Sequence, residues 1–178
     1  MASERVHSTL EEIEAKTTQL MLNGEFLVEV AQACSDAYHL NLKEPTQLLY
    51  TEEERDRTVE LLNSKQVIPS ELNSRLAPNL AGFYALQGTV FAIAEDSNLD
   101  PLRLLEDIQS NDIRKRMGTM PQRAANTTWL VANAMKGRAT SHEDVKVFNQ
   151  LSVKTKSQDM AQVQAVAKVW YKALTTSK

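Results

Sequence analysis

The sequence NLAGFYALQGTVFAIA, residues 79–94, lies within the longest stretch of the chain that has no charged side chain. A membrane-spanning helix needs roughly 20 mostly apolar residues, whereas this run has 16 and is interrupted by Gln87. Its small residues recur on one helix face, where another helix can approach closely; they are Ala81, Ala85, Gly88 and Ala92. We therefore predict that residues 79–94 form the central, buried helix of a globular core.

Helical periodicity continues through the rest of the chain, and no stretch alternates apolar and polar residues as a half-buried strand does. We predict an all-α fold, a compact bundle of about nine helices joined by short connections. The predicted helices cover residues 4–22, 25–39, 51–65, 70–77, 79–94, 101–117, 121–136, 141–153 and 157–175.

Two of these helices have recognisable start signals. Thr51 followed by Glu54 is the capping-box pattern, in which each side chain accepts a hydrogen bond from the other residue's backbone N–H. Ser70 is expected to cap a short helix that ends before Pro78, because proline removes a helical hydrogen bond and its ring crowds the preceding turn.

Two further signals mark helix boundaries. Asn23 and Gly24 favour the left-handed backbone conformation that stops a helix, so we expect the first helix to end there. Asp100 before Pro101 is typical of a helix start, since proline suits the first helical position. Residues 96–100, which precede Pro101, are the best candidate for a boundary between two halves of the chain.

Opposite charges divide the chain at this boundary. Residues 1–100 contain 17 Asp and Glu against 7 Lys and Arg, a net charge of −10, whereas residues 101–178 contain 6 against 13, a net charge of +7. We predict an acidic helical half, residues 1–96, and a basic helical half, residues 100–178, which form two subdomains or a single domain. Such a dipolar surface steers polyanions to one end or docks one copy on another.

The residues that usually carry chemistry are few and scattered. Cys34 is the single cysteine, and His39 is five positions after it, so the two do not share a helix face. We expect Cys34 to be a small buried residue and His142, beside two acidic residues, to belong to a helix start. We predict no catalytic residue, no metal site and no cofactor, and therefore a non-enzymatic protein.

The basic half has the charge pattern of a nucleic-acid binder. Residues 114–178 contain 12 Lys and Arg against 3 Asp and Glu. On the helix predicted for residues 121–136, an indole, two amides and two cations fall within a sector of about 140°, where the indole can stack on an unpaired base. The predicted nucleic-acid-binding residues are Arg114, Lys115, Arg116, Arg123, Asn126, Trp129, Asn133 and Lys136. The alternative for Trp129 is burial against a neighbouring helix.

Two functions follow from these patterns. The first is a self-associating, nucleocapsid-like protein that binds RNA or single strands through its basic half. The second is a protein–protein interaction module, an adaptor, chaperone or regulatory subunit. It would use its opposite charges and the heptad seam of the first helix, in which Thr17 lies among apolar residues. Charges throughout the first twenty residues and the single cysteine predict a cytoplasmic protein without a membrane partner.

The last predicted helix is amphipathic. Trp170 lies on its apolar side together with Val163, Ala167 and Leu174, at steps of three and four residues. Lys168 and Lys172 fall on the opposite side. We expect the lysines to be solvated and the tryptophan side to face the core.

Overall fold

A computed structural model describes residues 2–109 and 153–176 of the chain. These residues form six helices: α1 (Ala2–Met21), α2 (Gly24–Asn41), α3 (Glu52–Asn63), α4 (Ser70–Ser97), α5 (Pro101–Gln109) and α6 (Val153–Thr176). No strand occurs among them, which confirms the all-α prediction. None of these helices is both long enough and apolar enough to cross a membrane.

Seven of the nine predicted helices fall wholly or partly within the described residues, where they correspond to six helices. The helices predicted for residues 121–136 and 141–153, and the continuation of the helix beginning at Pro101 as far as residue 117, lie outside the described residues.

The difference in number comes from Pro78, which lies inside the continuous helix α4. The prediction that Ser70 caps a short helix is wrong, because the N-cap is Pro69 and no side chain caps the helix. The apolar face continues on both sides of the proline, with Leu76 and Leu80 both buried. Burial of leucines on either side, at about 1.5–3 kcal/mol each, offsets the roughly 3 kcal/mol cost of an internal proline.

Residues 79–94 were predicted to form a buried central helix, but α4 is buried on one side only. Phe83 and Val90 have no exposed surface, whereas Tyr84 is 43% exposed and Gly88 is exposed as well. A methyl group added at Gly88 would meet no described atom within 4 Å. The predicted stripe of small residues therefore does not receive another helix at this position within the described residues.

The central position belongs to α2 and α6, which make the most extensive contact between any two described helices. Helix α2 also contacts α1, α3 and α4, and α6 also contacts α1, α4 and α5. Their buried side chains form one apolar cluster, which extends from Leu10 to Ile108 and continues in α6. Residues of the predicted acidic and basic halves therefore share one core.

The helix-start signals at Thr51 and at Asp100 are both found at helix starts in the structure. Glu54 N–H donates to Thr51 Oγ1 at 3.2 Å and Thr51 N–H donates to Glu54 Oε1 at 3.0 Å, so the predicted capping box is confirmed. Asp100 accepts a hydrogen bond from Leu102 N–H at 2.9 Å at the start of α5, where Pro101 is the first helical residue.

Asn23 and Gly24 do not form the predicted left-handed stop. Asn23 is the N-cap of α2, and its side chain accepts a hydrogen bond from the Phe26 N–H. Gly24 begins α2 where α3 passes close by, because a Cβ there would lie 2.6 Å from the carbonyl oxygen of Val59. The glycine is needed for this close approach and not for a positive φ angle.

Trp170 lies at the centre of the core with no exposed surface. Its ring makes edge-to-face contacts with Phe83 and Phe91, with centroid distances of 5.5 and 5.6 Å. Its indole N–H donates to the Thr17 hydroxyl at 3.1 Å, and that hydroxyl donates to the Ile13 carbonyl at 2.7 Å. The polar residue in the seam of α1 thus provides the acceptor for a tryptophan 153 residues further along the chain.

We predict that Thr17→Val lowers the free energy of unfolding by about 1–3 kcal/mol, because it leaves the buried indole N–H without an acceptor. Thr18→Val is the matched control, since the exposed Thr18 hydroxyl also donates to a carbonyl four residues earlier. The control should change stability by less than about 0.5 kcal/mol. Urea unfolding of both variants measures the difference, and equal effects would contradict the role of Thr17.

Candidate functional site

The predicted nucleic-acid-binding residues, from Arg114 to Lys136, lie outside the described residues, as does His142. The described residues instead contain a surface groove that the sequence did not predict. It has a volume of about 560 Å³ and runs along the exposed side of α2, between the segment that leads into α3 and one residue of α6. We call it the α2 groove.

Apolar side chains contribute much of the α2 groove. They come from α2, from the segment before α3 and from α6: Val28, Ala33, Leu48, Tyr50 and Val169. Leu48 is 82% exposed, so a large apolar side chain at this groove is in contact mainly with water. Leu48 therefore adds exposed apolar surface to the apolar lining of the groove.

Carboxylates dominate the charged residues of the groove. Glu25, Glu29 and Asp36 come from α2 and Glu52 from the first turn of α3, against a single cation, Arg55. With Gln32 between them, the three acidic residues of α2 follow the steps of one helix face. They extend over about 16 Å at a rise of 1.5 Å per residue. The groove therefore has a row of negative charge beside an apolar surface.

A second, smaller concavity of about 360 Å³ adjoins the α2 groove on the side of α6. It shares Glu29 and Val169 with the groove, and Leu40, at 64% exposure, lies at its edge. Lys168 and Lys172 line it and are exposed, as predicted for the polar side of the last helix. The acidic row thus has cations on its α6 side.

Gln32 attaches the segment before α3 to α2. Its side-chain amide donates to the Gln47 carbonyl at 2.9 Å and to Asp36 Oδ1 at 2.8 Å, while its oxygen accepts from the Leu49 N–H at 2.9 Å. The two backbone groups bound by Gln32 belong to Gln47 and Leu49, the residues on either side of Leu48. The exposed leucine therefore lies on a segment that is hydrogen-bonded to α2 on both sides of it. The groove is therefore preformed on this side.

Arg75 of α4 holds the same segment from the other side. Its guanidinium forms two hydrogen bonds with the Glu54 carboxylate, at 2.6 and 3.1 Å, and donates to the Leu49 carbonyl at 2.8 Å. It also lies 5.0 Å from the centroid of the Tyr50 ring. The Tyr50 hydroxyl donates to the Leu72 carbonyl at 2.7 Å. Both the ring and the hydroxyl of Tyr50 are therefore in contact with α4.

These contacts change the acidity of the groups involved. The hydrogen bonds from Arg75 and from the Thr51 backbone lower the pKa of Glu54 to about 2. Burial raises the pKa of Tyr50, and the hydrogen bond to Glu54 raises the pKa of Arg75. Glu54 and Arg75 therefore remain an ion pair throughout the physiological pH range.

The described residues hold few of the groups used in catalysis. Cys34 is buried in the core, as expected, and His39 Nδ1 lies 3.1 Å from a Glu44 carboxylate oxygen on the surface. No group of three His, Cys, Asp or Glu side chains within residues 2–109 and 153–176 could hold a metal ion. The residues that line the α2 groove include no histidine or cysteine.

We predict that Glu54→Gln destabilises the protein at neutral pH and that the loss shrinks in acid. A carboxylate whose pKa falls from 4.5 to about 2 on folding adds stability above pH 4.5 and loses it as the pH falls to about 2. A glutamine side chain at position 54 can still accept the hydrogen bond from the Thr51 N–H, but it has no negative charge to pair with Arg75. Urea midpoints from pH 7 to pH 2 measure the effect, with the exposed Glu53→Gln as control. A pH-independent loss would contradict the assignment.

Comparison of the chain with protein-family models, with curated proteins and with solved structures gave no match.

Proposed function

We propose that this protein is a non-enzymatic interaction module, and that its α2 groove binds a cationic, partly apolar segment of a protein chain. The observation that carries the proposal is the combination of an acidic row with exposed Leu48 on a preformed groove. This is the interaction function that the sequence left as the alternative to nucleic-acid binding.

The two components of the groove have different effects on binding. Burying the side chain of Leu48 under a partner contributes up to about 1.5–3 kcal/mol. Exposed ion pairs contribute about 0–1 kcal/mol each, but they raise the association rate and exclude partners of the wrong sign. The apolar contact therefore supplies affinity, and Glu25, Glu29 and Asp36 select a partner that has Lys or Arg near its apolar side chains.

The same charges argue against phosphate-rich ligands at this site. Residues 2–109 and 153–176 contain 20 Asp and Glu against 12 Lys and Arg, a net charge of −8. A nucleic acid that approached the α2 groove would meet four carboxylates and one guanidinium. The groove is suited to a polycation and repels a polyanion.

We predict that a 14-residue amphipathic peptide of Lys and Leu binds the protein and that Glu25→Lys with Glu29→Lys weakens binding about tenfold or more. The change reverses two charges of the acidic row, and tenfold corresponds to about 1.4 kcal/mol. Leu48→Ser should weaken binding independently, because it removes the exposed apolar contact. Fluorescence anisotropy of the labelled peptide measures both effects.

The control for this experiment is Glu95→Lys with Asp96→Lys, which makes the same change in net charge at exposed positions that do not line the groove. Its peptide affinity should stay within about twofold of the unaltered protein at 0.15 M salt, where charges more than about 8 Å apart are screened. Equal losses in the two double variants would contradict binding in the groove.

A second candidate function is RNA or single-strand binding through Arg114, Lys115, Arg116, Arg123, Asn126, Trp129, Asn133 and Lys136. The observation in its favour is that residues 113–142 contain no Asp or Glu, whereas residues 2–109 and 153–176 together have a net charge of −8. This distribution steers a polyanion toward a single part of the chain.

For this second function we predict that Arg114→Gln, Lys115→Gln and Arg116→Gln together reduce the slope of log K against log salt by about 2. Each lost phosphate contact changes the slope by about 0.7 for a single strand. The control, Lys43→Gln with Arg57→Gln and Lys65→Gln, removes three exposed cations elsewhere and should leave the slope unchanged. Titration of a labelled oligouridine at several salt concentrations provides both slopes, and no binding at about 50 mM salt would exclude this function.

A further inference from the structure

We infer that the α2 groove binds residues 114–136 of a second copy of this chain, so that copies associate head to tail. The inference rests on the proposed function, because it takes the groove as a site for a cationic, partly apolar segment and names that segment. Self-association of this kind was expected from the opposite charges of the two halves of the sequence.

Charge complementarity is the first argument. Residues 114–136 contain five Lys and Arg and no Asp or Glu. The α2 groove has four carboxylates and one cation, so its net charge is opposite to that of the segment. Helices α1 to α5 each have more Asp and Glu than Lys and Arg, whereas α6 has four Lys against one Asp, and two of these, Lys168 and Lys172, line the concavity beside the groove. The segment, with five cations and no carboxylate, is therefore opposite in charge to the acidic row of the groove.

The apolar composition of the segment is the second argument. Met117, Met120 and Trp129 lie among its cations. Methionine and tryptophan are enriched at protein interfaces, because methionine adapts to irregular surfaces and tryptophan buries a large area. The exposed Leu48 and the adjoining Leu40 provide apolar surface next to the acidic row. The segment can therefore supply both of the contacts that the groove requires.

The geometry of such an association is heterologous. Each copy has one groove, on α2, and one basic segment, between α5 and α6 in the chain. When the groove of one copy is filled by a neighbour, its own segment remains available for a third copy. The contact therefore closes into a reciprocal dimer or a larger ring when the two contacts can be made at once, and produces longer chains when they cannot.

A mixing experiment with full-length variants tests the inference. The groove variant contains Glu25→Lys and Glu29→Lys, and the segment variant contains Arg114→Gln, Lys115→Gln and Arg116→Gln. Sedimentation velocity should give a mass that grows with concentration for the unaltered protein and the 20.0 kDa monomer for each variant alone. An equal mixture should form a complex of two chains and no larger species, because it retains one intact groove and one intact segment.

Several outcomes would overturn the inference. They are a monomeric unaltered protein, a groove variant that assembles like the unaltered protein, and a mixture that stays monomeric. Assembly that requires added RNA and persists in the groove variant would also overturn it, because the contact would then be through nucleic acid. Leu48→Ser is the second groove variant, for use where the double Lys variant fails to fold by circular dichroism.

The Lys and Leu peptide separates this inference from the proposed function. A protein that binds the peptide in its α2 groove but stays monomeric at every concentration retains the proposed function and loses the inference. A protein that neither binds the peptide nor assembles loses both. Competition of the peptide with self-association, measured as a fall in mass toward the monomer, is the result expected when both are correct.

Discussion

The burial of Trp170 is the constraint on which the rest of the described structure depends. An indole can enter a core only where its N–H finds an acceptor, because an unpaired buried donor costs about 1–3 kcal/mol. Thr17 of α1 supplies that acceptor, and Phe83 and Phe91 of α4 enclose the ring. The last helix is therefore joined to the first by one hydrogen bond within a close-packed aromatic cluster.

This contact also determines the surface on which the proposed function rests. Because an α-helix is a rigid element, burying Trp170 sets the rotation and register of α6 along α2. Val169 then lines the α2 groove, and Lys168 and Lys172 remain exposed on the adjoining concavity. On the opposite side, Arg75 and Gln32 hold the segment that contains Leu48. Core packing and two polar anchors thus shape the groove before any partner binds.

The distribution of charge connects the groove to both proposed functions. The described residues have a net charge of −8, and residues 114–136 contain five Lys and Arg and no Asp or Glu. One segment of this kind can bind a polyanion or the acidic groove of another copy, and the two uses compete for the same cations. The acidic helices contribute in both cases, since they repel phosphate and attract the segment. The proposed self-association and the proposed nucleic-acid binding therefore depend on the same cations.

Local chemistry in the sequence determined the all-α fold, the capping box of Thr51 and Glu54, and the amphipathic last helix, because each depends on residues within one or two turns. Tertiary structure decided the rest. Pro78 is tolerated because the apolar face continues past it, and Gly24 is required by the approach of α3. The α2 groove combines residues from α2, the segment before α3, and α6, so no local pattern contains it. Its acidic row was visible in the spacing of Glu25, Glu29 and Asp36, but the exposure of Leu48 follows only from packing between distant parts of the chain.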